Sequence, residues 1–166
     1  MIELPKVVSD FTAFIDGRGL AGRINEAKIP AIGLVTEEHT AGGMGGTVDI
    51  WMGLVEKMET EVTVDGMSAA FTEGLGRSDF PLTLRGVLVN DDVTEQAIFQ
   101  TRGLYKKAEF GDLKRKDKGS QKLMATLSYF KATIGSVEIV EVDVINKIFI
   151  VDGVDRFAEH RAALGL

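Results

Sequence analysis

The stretch TEEHTAGGMGGTVDIWMGLVEKMETEVTVDG, residues 36–66, decides the fold. In its second half Met58, Thr60, Val62 and Val64 point one way, and Lys57, Glu59, Glu61 and Asp65 point the other. A period of two held over that length predicts a half-buried strand. Ahead of it, residues 34–40 and 47–52 form two more extended segments, joined by Ala41-Gly42-Gly43-Met44-Gly45-Gly46. The spacing predicts a protruding hairpin over residues 34–52. Its tip is too rich in glycine to be held by its own side chains, because glycine loses more backbone freedom on folding than any other residue. A long arm with an unanchored tip is what one chain offers to another. Trp51 has the opposite parity to Val48, Ile50 and Met52. Either one of these apolar faces meets another chain, or Trp51 is buried within its own subunit.

Outward from the hairpin, the chain of 166 residues is long enough for one domain, residues 1–166, with a core of its own. No apolar run reaches the eighteen or so residues of a membrane-spanning helix, so no membrane insertion is expected. The first residues lack the basic head, apolar stretch and small-residue site of a secretion signal. Cysteine is absent, which excludes disulfides and thiolate metal sites. The net charge of −6 gives no general basic face for nucleic acid.

Taken in order, residues 1–9 are expected as an extended arm and residues 10–15 as a short strand. After the opening stretch the period changes. Ser68 can cap a short helix within residues 67–75. Residues 81–90 form a strand in which Gly86 marks a bulge or a close backbone approach. Residues 93–105 return it, and the basic stretch 109–120 is a solvated loop. Residues 121–134 and 137–151 are the two longest strand candidates, turned by Gly135-Ser136. Val140, Val142 and Val144 are expected inward. Glu138 shares their parity, and the pattern drifts after Asn146, where a bulge is expected. Asp155 caps a terminal helix over 156–164, with Gly165 beyond its end. The sum is a mainly β chain, a β-sandwich or partly closed β-barrel, with one internal and one C-terminal helix.

Catalytic signals are absent. His39 and His160 fall in a hairpin arm and a terminal helix, so a metal site built on them needs further ligands. Glu37 and Glu38, as strand neighbours, point to opposite faces. The glycine tip lacks the lysine and the following helix of a phosphate loop. No cofactor is expected. The run Lys114, Arg115, Lys116, Lys118 is either a solvated charge run or a contact for an acidic partner.

The segments EEHTAGGMGGTVDIWMGL and METEVTVDG, together with the closing YFKATIGSVEIVEVDVINKIFIVDGVDRFAEHRAALGL, resemble the major tail tube proteins of contractile-tailed, P2-like phages. The resemblance covers nearly the whole chain. The basic loop is a departure from it. It implies a strand over residues 21–28 and a non-enzymatic virion protein, assembled in the host cytoplasm. Hexameric rings of such subunits stack into a hollow tube inside a contractile sheath. The implied partners are other copies, the sheath, the tape-measure protein, the baseplate hub and the tail terminator, with DNA passing through the lumen unbound. Glu38, His39, Gly42, Gly43, Met44, Gly45, Gly46 and Trp51 become the inter-subunit hairpin. The tube of a phage-tail-like bacteriocin, a secretion-system ring and a small ligand-binding barrel stay open as alternatives.

DNA must slide through such a lumen without sticking. Each lysine or arginine on phosphate releases counterions and adds affinity, so an acidic or neutral wall is expected. Glu59 and Glu61 on one strand, and Glu141 and Asp143 on another, are the lumen-facing candidates, the first pair preferred.

Overall fold

The computed structural model describes residues 5–91 and 93–166. Two long strands carry it: β8 (Thr94–Phe110) and β9 (Ser120–Ile134), antiparallel along nearly their whole length. The other strands are β1 (Val7–Ile15), β2 (Arg18–Gly19), β3 (Ile24–Lys28), β4 (Leu34–His39), β5 (Val48–Val55), β6 (Met58–Asp65) and β7 (Phe80–Val89). After β9 come β10 (Val137–Asp143), β11 (Ile148–Val151) and β12 (Val154–Asp155). Two helices, α1 (Ala69–Thr72) and α2 (Ala158–Leu164), complete it.

The second edge of β9 is shared. Ser120–Leu127 pair with β6, and Tyr129–Ile134 pair with β10. The sheet therefore branches at Ser128, where the register with β8 also shifts. This bulge flips the inward parity. Gln121, Leu123, Ala125 and Leu127 are buried before it, Phe130 and Ala132 after it. Without the extra residue Phe130 would point to solvent, since a one-residue slip exchanges the faces of a strand. The two branches curl over one core, in which Met58, Val62 and Val64 of β6 meet Leu82 of β7, Tyr105 of β8 and Phe71 of α1. The main run of strands ends on β12 and β2, which do not pair, so the sheet is a sandwich-like curl and not a closed barrel.

The structure departs from the expected elements in several places. Strand β1 begins at Val7, paired with Val89, so of the arm expected over residues 1–9 only Pro5 and Lys6 precede it among the described residues. Strand β8 runs on to Phe110, which shortens the basic loop to residues 111–119. The strand expected over 137–151 is two strands. Asp143 accepts hydrogen bonds from the Asn146 amide at 2.9 Å and from its side-chain Nδ2 at 2.7 Å, closing a turn in place of the expected bulge. Val142 is fully buried, but Val144 stands on that turn and is 47% exposed. A bulge between Glu138 and Val140 frees Glu138 from the valines' face. Finally, Ser68 precedes α1 without capping it through its side chain, and Asp155 precedes α2 by more than one residue. Gly165 does end α2, at φ 73°, with its amide on the Ala162 carbonyl.

Candidate assembly surfaces

Strands β4 and β5 pair only with each other among the described residues. Thr36 lies opposite Trp51, Glu37 opposite Ile50, Glu38 opposite Asp49 and His39 opposite Val48. Between the Thr36 and Leu34 pairings β5 contains extra residues, a bulge centred on Gly53. Gly53 has φ +67°, and a Cβ there would sit 2.6 Å from the His160 Nε2 atom. Glycine is thus required twice, for its left-handed backbone and for the ring that packs on it.

That ring belongs to an aromatic cluster fastening the hairpin to the C-terminal region. Trp51 stacks on Phe157 at 5.6 Å between centroids, and meets Phe149 at 6.3 Å and His160 at 5.6 Å edge-on. Its indole N–H donates to the Leu54 carbonyl at 3.0 Å. Trp51 therefore packs within its own subunit, the second of the two readings of its sequence. Asp155 organises the region: its Oδ1 accepts from the Phe157 amide at 2.9 Å, and its Oδ2 pairs with Arg161 at 2.5 Å. The Arg161 hydrogen bond holds the Asp155 carboxyl below its usual range.

The other face of β5 has no such cover. Val48, Ile50, Met52 and Leu54 are each about half exposed. At the tip, the Met44 amide donates to the Ala41 carbonyl at 3.2 Å, and the Ala41 amide meets the Met44 sulfur at 3.2 Å. The Thr40 and Thr47 hydroxyls bond across the neck at 2.8 Å. Contrary to expectation, the tip is shaped by its own residues: a turn at Gly43, φ +86°, with Met44 folded back. Around Gly42, Gly43, Gly45 and Gly46 there is open space.

Strand β6 is different. Glu59 is bonded by Lys106 and, at 2.9 Å, by Lys57. These bonds, that of Lys106 first, pull its carboxyl down to about 2. Glu61 pairs with Lys122 at 3.4 Å, Asp65 with Lys118, and Glu109 with Lys107 at 2.5 Å. The expected acidic face is a neutral mosaic, because β8, β9 and the loop between them set a lysine beside each carboxylate of β6. Sequence inspection finds Lys57 but misses Lys106, Lys118 and Lys122, which lie about fifty to sixty residues from their carboxylates.

The second candidate pair serves local structure. Glu141 accepts the Tyr129 hydroxyl at 2.9 Å, and burial, helped by this carboxylate, raises the Tyr129 phenol to about 12. Asp143 holds the turn described above. In the basic loop Lys118 is engaged by Asp65, and Lys114 lies 3.8 Å from Asp112. Arg115 and Lys116 have no ion-pair partner among the described residues, and Leu113 beside them is 85% exposed.

Catalytic geometry is not assembled. No three His, Cys, Asp or Glu side chains among the described residues could hold a metal ion. His39 lies near the hairpin tip, while His160 lies beside Trp51. An apolar groove of about 300 Å³ is lined by aliphatic and aromatic side chains such as Phe11, Ile29, Leu88 and Phe99, with Arg85 its one charged lining residue. No helix among the described residues is long and apolar enough to cross a membrane.

Residues 5–165 match the family described as phage tail tube protein FII. The chain is 26% identical to the tail tube protein of Escherichia phage P2, with 98% of this chain and 99% of that one covered. It is 25% identical to the major tail tube protein of Serratia phage KSP20, with 98% of each covered. Among solved structures, the tube-terminating cap of the anti-feeding prophage shares the fold at a TM-score of 0.60 and 11% identity, over 82% of this chain and 94% of the cap.

Proposed function

The chain belongs to the phage tail tube protein FII family, and from that premise we propose that its copies close into hexameric rings which stack into the inner tube of a contractile tail. The protein is a structural, non-enzymatic component of the virion, built to assemble into a tail tube. The proposed tube sits inside a sheath, is measured by a tape-measure protein, starts on a baseplate hub and ends on a terminator. DNA leaves through its lumen.

The observation that carries this reading is the β4–β5 hairpin. It is anchored at Trp51 to its own subunit, yet it exposes four apolar side chains at alternate positions of β5. A two-stranded hairpin with free outer edges and an exposed apolar face is a hazard in a monomer and an interface in an assembly. Edges are also free elsewhere: β2 covers only Phe14 and Ile15 of β1, leaving the start of that edge open. A head-to-tail contact that closes gives a ring, and one that does not close gives a filament. A tube uses both.

The β6 face, with Glu59 and Glu61, is the proposed lumen wall. Its neutrality suits that place, because lysines held by carboxylates are less available to phosphate. Negative-stain electron microscopy of purified, concentrated protein, with no nucleotide or metal added, tests the function. Rings or tubes are expected. A protein that stays monomeric by light scattering and microscopy overturns the reading.

A further inference from the structure

The hairpin carries three carboxylates, Glu37, Glu38 and Asp49, all exposed and none in an ion pair among the described residues. Two of them, Glu38 and Asp49, are direct cross-strand partners. Like charges placed opposite each other destabilise a strand pair, and here no cation among the described residues pairs with them. The loop over residues 111–119 has the complementary surplus. Arg115 and Lys116 are exposed neighbours without a carboxylate partner among the described residues, and Phe110 and Leu113, 60% and 85% exposed, flank them.

The two features cannot neutralise each other inside one chain, because β6 separates them. The hairpin leaves from the Met58 end of β6, where the Glu56 amide bonds the Gly33 carbonyl. The basic loop is tied to the other end, through Asp65 to Lys118 and through the Gly66 amide to the Gly119 carbonyl. At roughly 3.4 Å per residue, those ends are about 24 Å apart. Trp51 confirms the polarity, since its partner Phe149 belongs to the β10–β11 branch, beyond the Leu127 end of the β6–β9 pairing.

We infer that the 111–119 loop of one copy receives the acidic hairpin of the next, as the longitudinal contact of the tube. The inference rests on the tube reading. Opposite charges at opposite ends of one strand make a heterologous contact that repeats without closing. The loop straddles the finger: Arg115 and Lys116 face the opposed pair Glu38 and Asp49 on one side, while Leu113 and Phe110 cover Val48 and Ile50 on the other. Charge sets the register of such a contact and rejects the inverted stacking.

The test is a charge swap. A loop variant, Arg115→Glu with Lys116→Glu, and a hairpin variant, Glu38→Lys with Asp49→Lys, are each checked for wild-type circular dichroism and then concentrated at low salt. Each is expected to need at least about tenfold more protein than wild type to form tubes, since a ring repeats the contact. The chain carrying all four substitutions is expected to assemble near the wild-type concentration. The gap should narrow in high salt as screening shortens the range of the charges. Half-swapped chains that form tubes at the wild-type concentration overturn the contact and leave the tube reading standing, as does a full swap without rescue. Loop-reversed chains that assemble normally but lose binding to duplex DNA at low salt also overturn it, and give the loop to nucleic acid. A wild-type chain that never assembles takes down the tube reading and the contact together.

Discussion

Strands β5 and β6 are consecutive and both alternate, yet they treat their side chains in opposite ways. On β6 the buried residues Met58, Thr60, Val62 and Val64 fill the core, and the outward carboxylates Glu59, Glu61 and Asp65 each find a lysine of β8, β9 or the 111–119 loop, with Lys57 also at Glu59. On β5 one face is fastened through Trp51, while Val48, Ile50, Met52, Leu54 and Asp49 have no cover or partner of comparable kind. A strand whose groups are all matched within the chain belongs to the subunit's own stability. A strand left half unmatched is what the proposed assembly contact requires.

The sharpest way to break this contrast is at the tip. Replacing Gly43 and Gly45 with valine should leave β6 and the monomer folded, because the space around both is open. It should abolish tubes, since valine at φ +86° distorts the turn and widens the finger. Circular dichroism and electron microscopy on the same sample check it. Normal tubes from this variant would remove the tip from the interface.

Next in size is the anchor. Trp51→Ala removes a half-buried ring stacked on Phe157 and should cost about 2–3 kcal/mol in urea unfolding, below the full-burial range because the site is partly open. A smaller loss, about 1–2 kcal/mol, is expected for Gly53→Ala, from the left-handed backbone and the close His160 ring. Adding His160→Ala should recover the steric part and leave the backbone part. If the double variant is no more stable than Gly53→Ala alone, the close approach is not what constrains that position.

On β6 the expected effects are smaller. Glu59→Lys with Glu61→Lys should still permit tubes but slow DNA ejection severalfold, more at low salt, because the freed and added lysines reach phosphate. Ejection at the normal rate in low salt removes this face from the lumen. The smallest effect is titration. Glu59 is depressed from 4.5 to about 2, so its ion pairs contribute fully above the unfolded value and are lost as pH falls through about 2. A carboxyl titration followed by NMR should show this depression, and Lys106→Met should lessen it, with Lys57 keeping part of it. An unchanged midpoint in that variant would assign the shift to something other than Lys106.

Much of this was legible in the chain. The alternation of residues 58–65, the hairpin before it, the Gly135 turn and the Gly165 stop are local patterns, each set by residues within a few positions of one another. The hairpin set was legible as a segment but not in its division of labour. Glu38, His39 and the glycines lie on the free finger, while Trp51 belongs to the anchor, because Phe149, Phe157 and His160 come from a distant part of the chain. The lumen candidates were legible as carboxylates but not as charges, because charge on a sheet face is a property of neighbouring strands.

The sequence by itself determined the strand periods, the hairpin with its glycine tip, the absence of cysteine chemistry and the family. Those follow from side-chain order alone, through the two-residue repeat of a strand and the backbone preferences of glycine. Only the tertiary structure decided that the sheet branches at Ser128, that Trp51 faces inward, that the β6 face is neutral, and that the acidic finger and basic loop lie at opposite ends of one strand. Each of these depends on which distant strands pair and in what register. Register is settled by burying one face of every strand at once, a condition on the whole sheet that no single stretch contains.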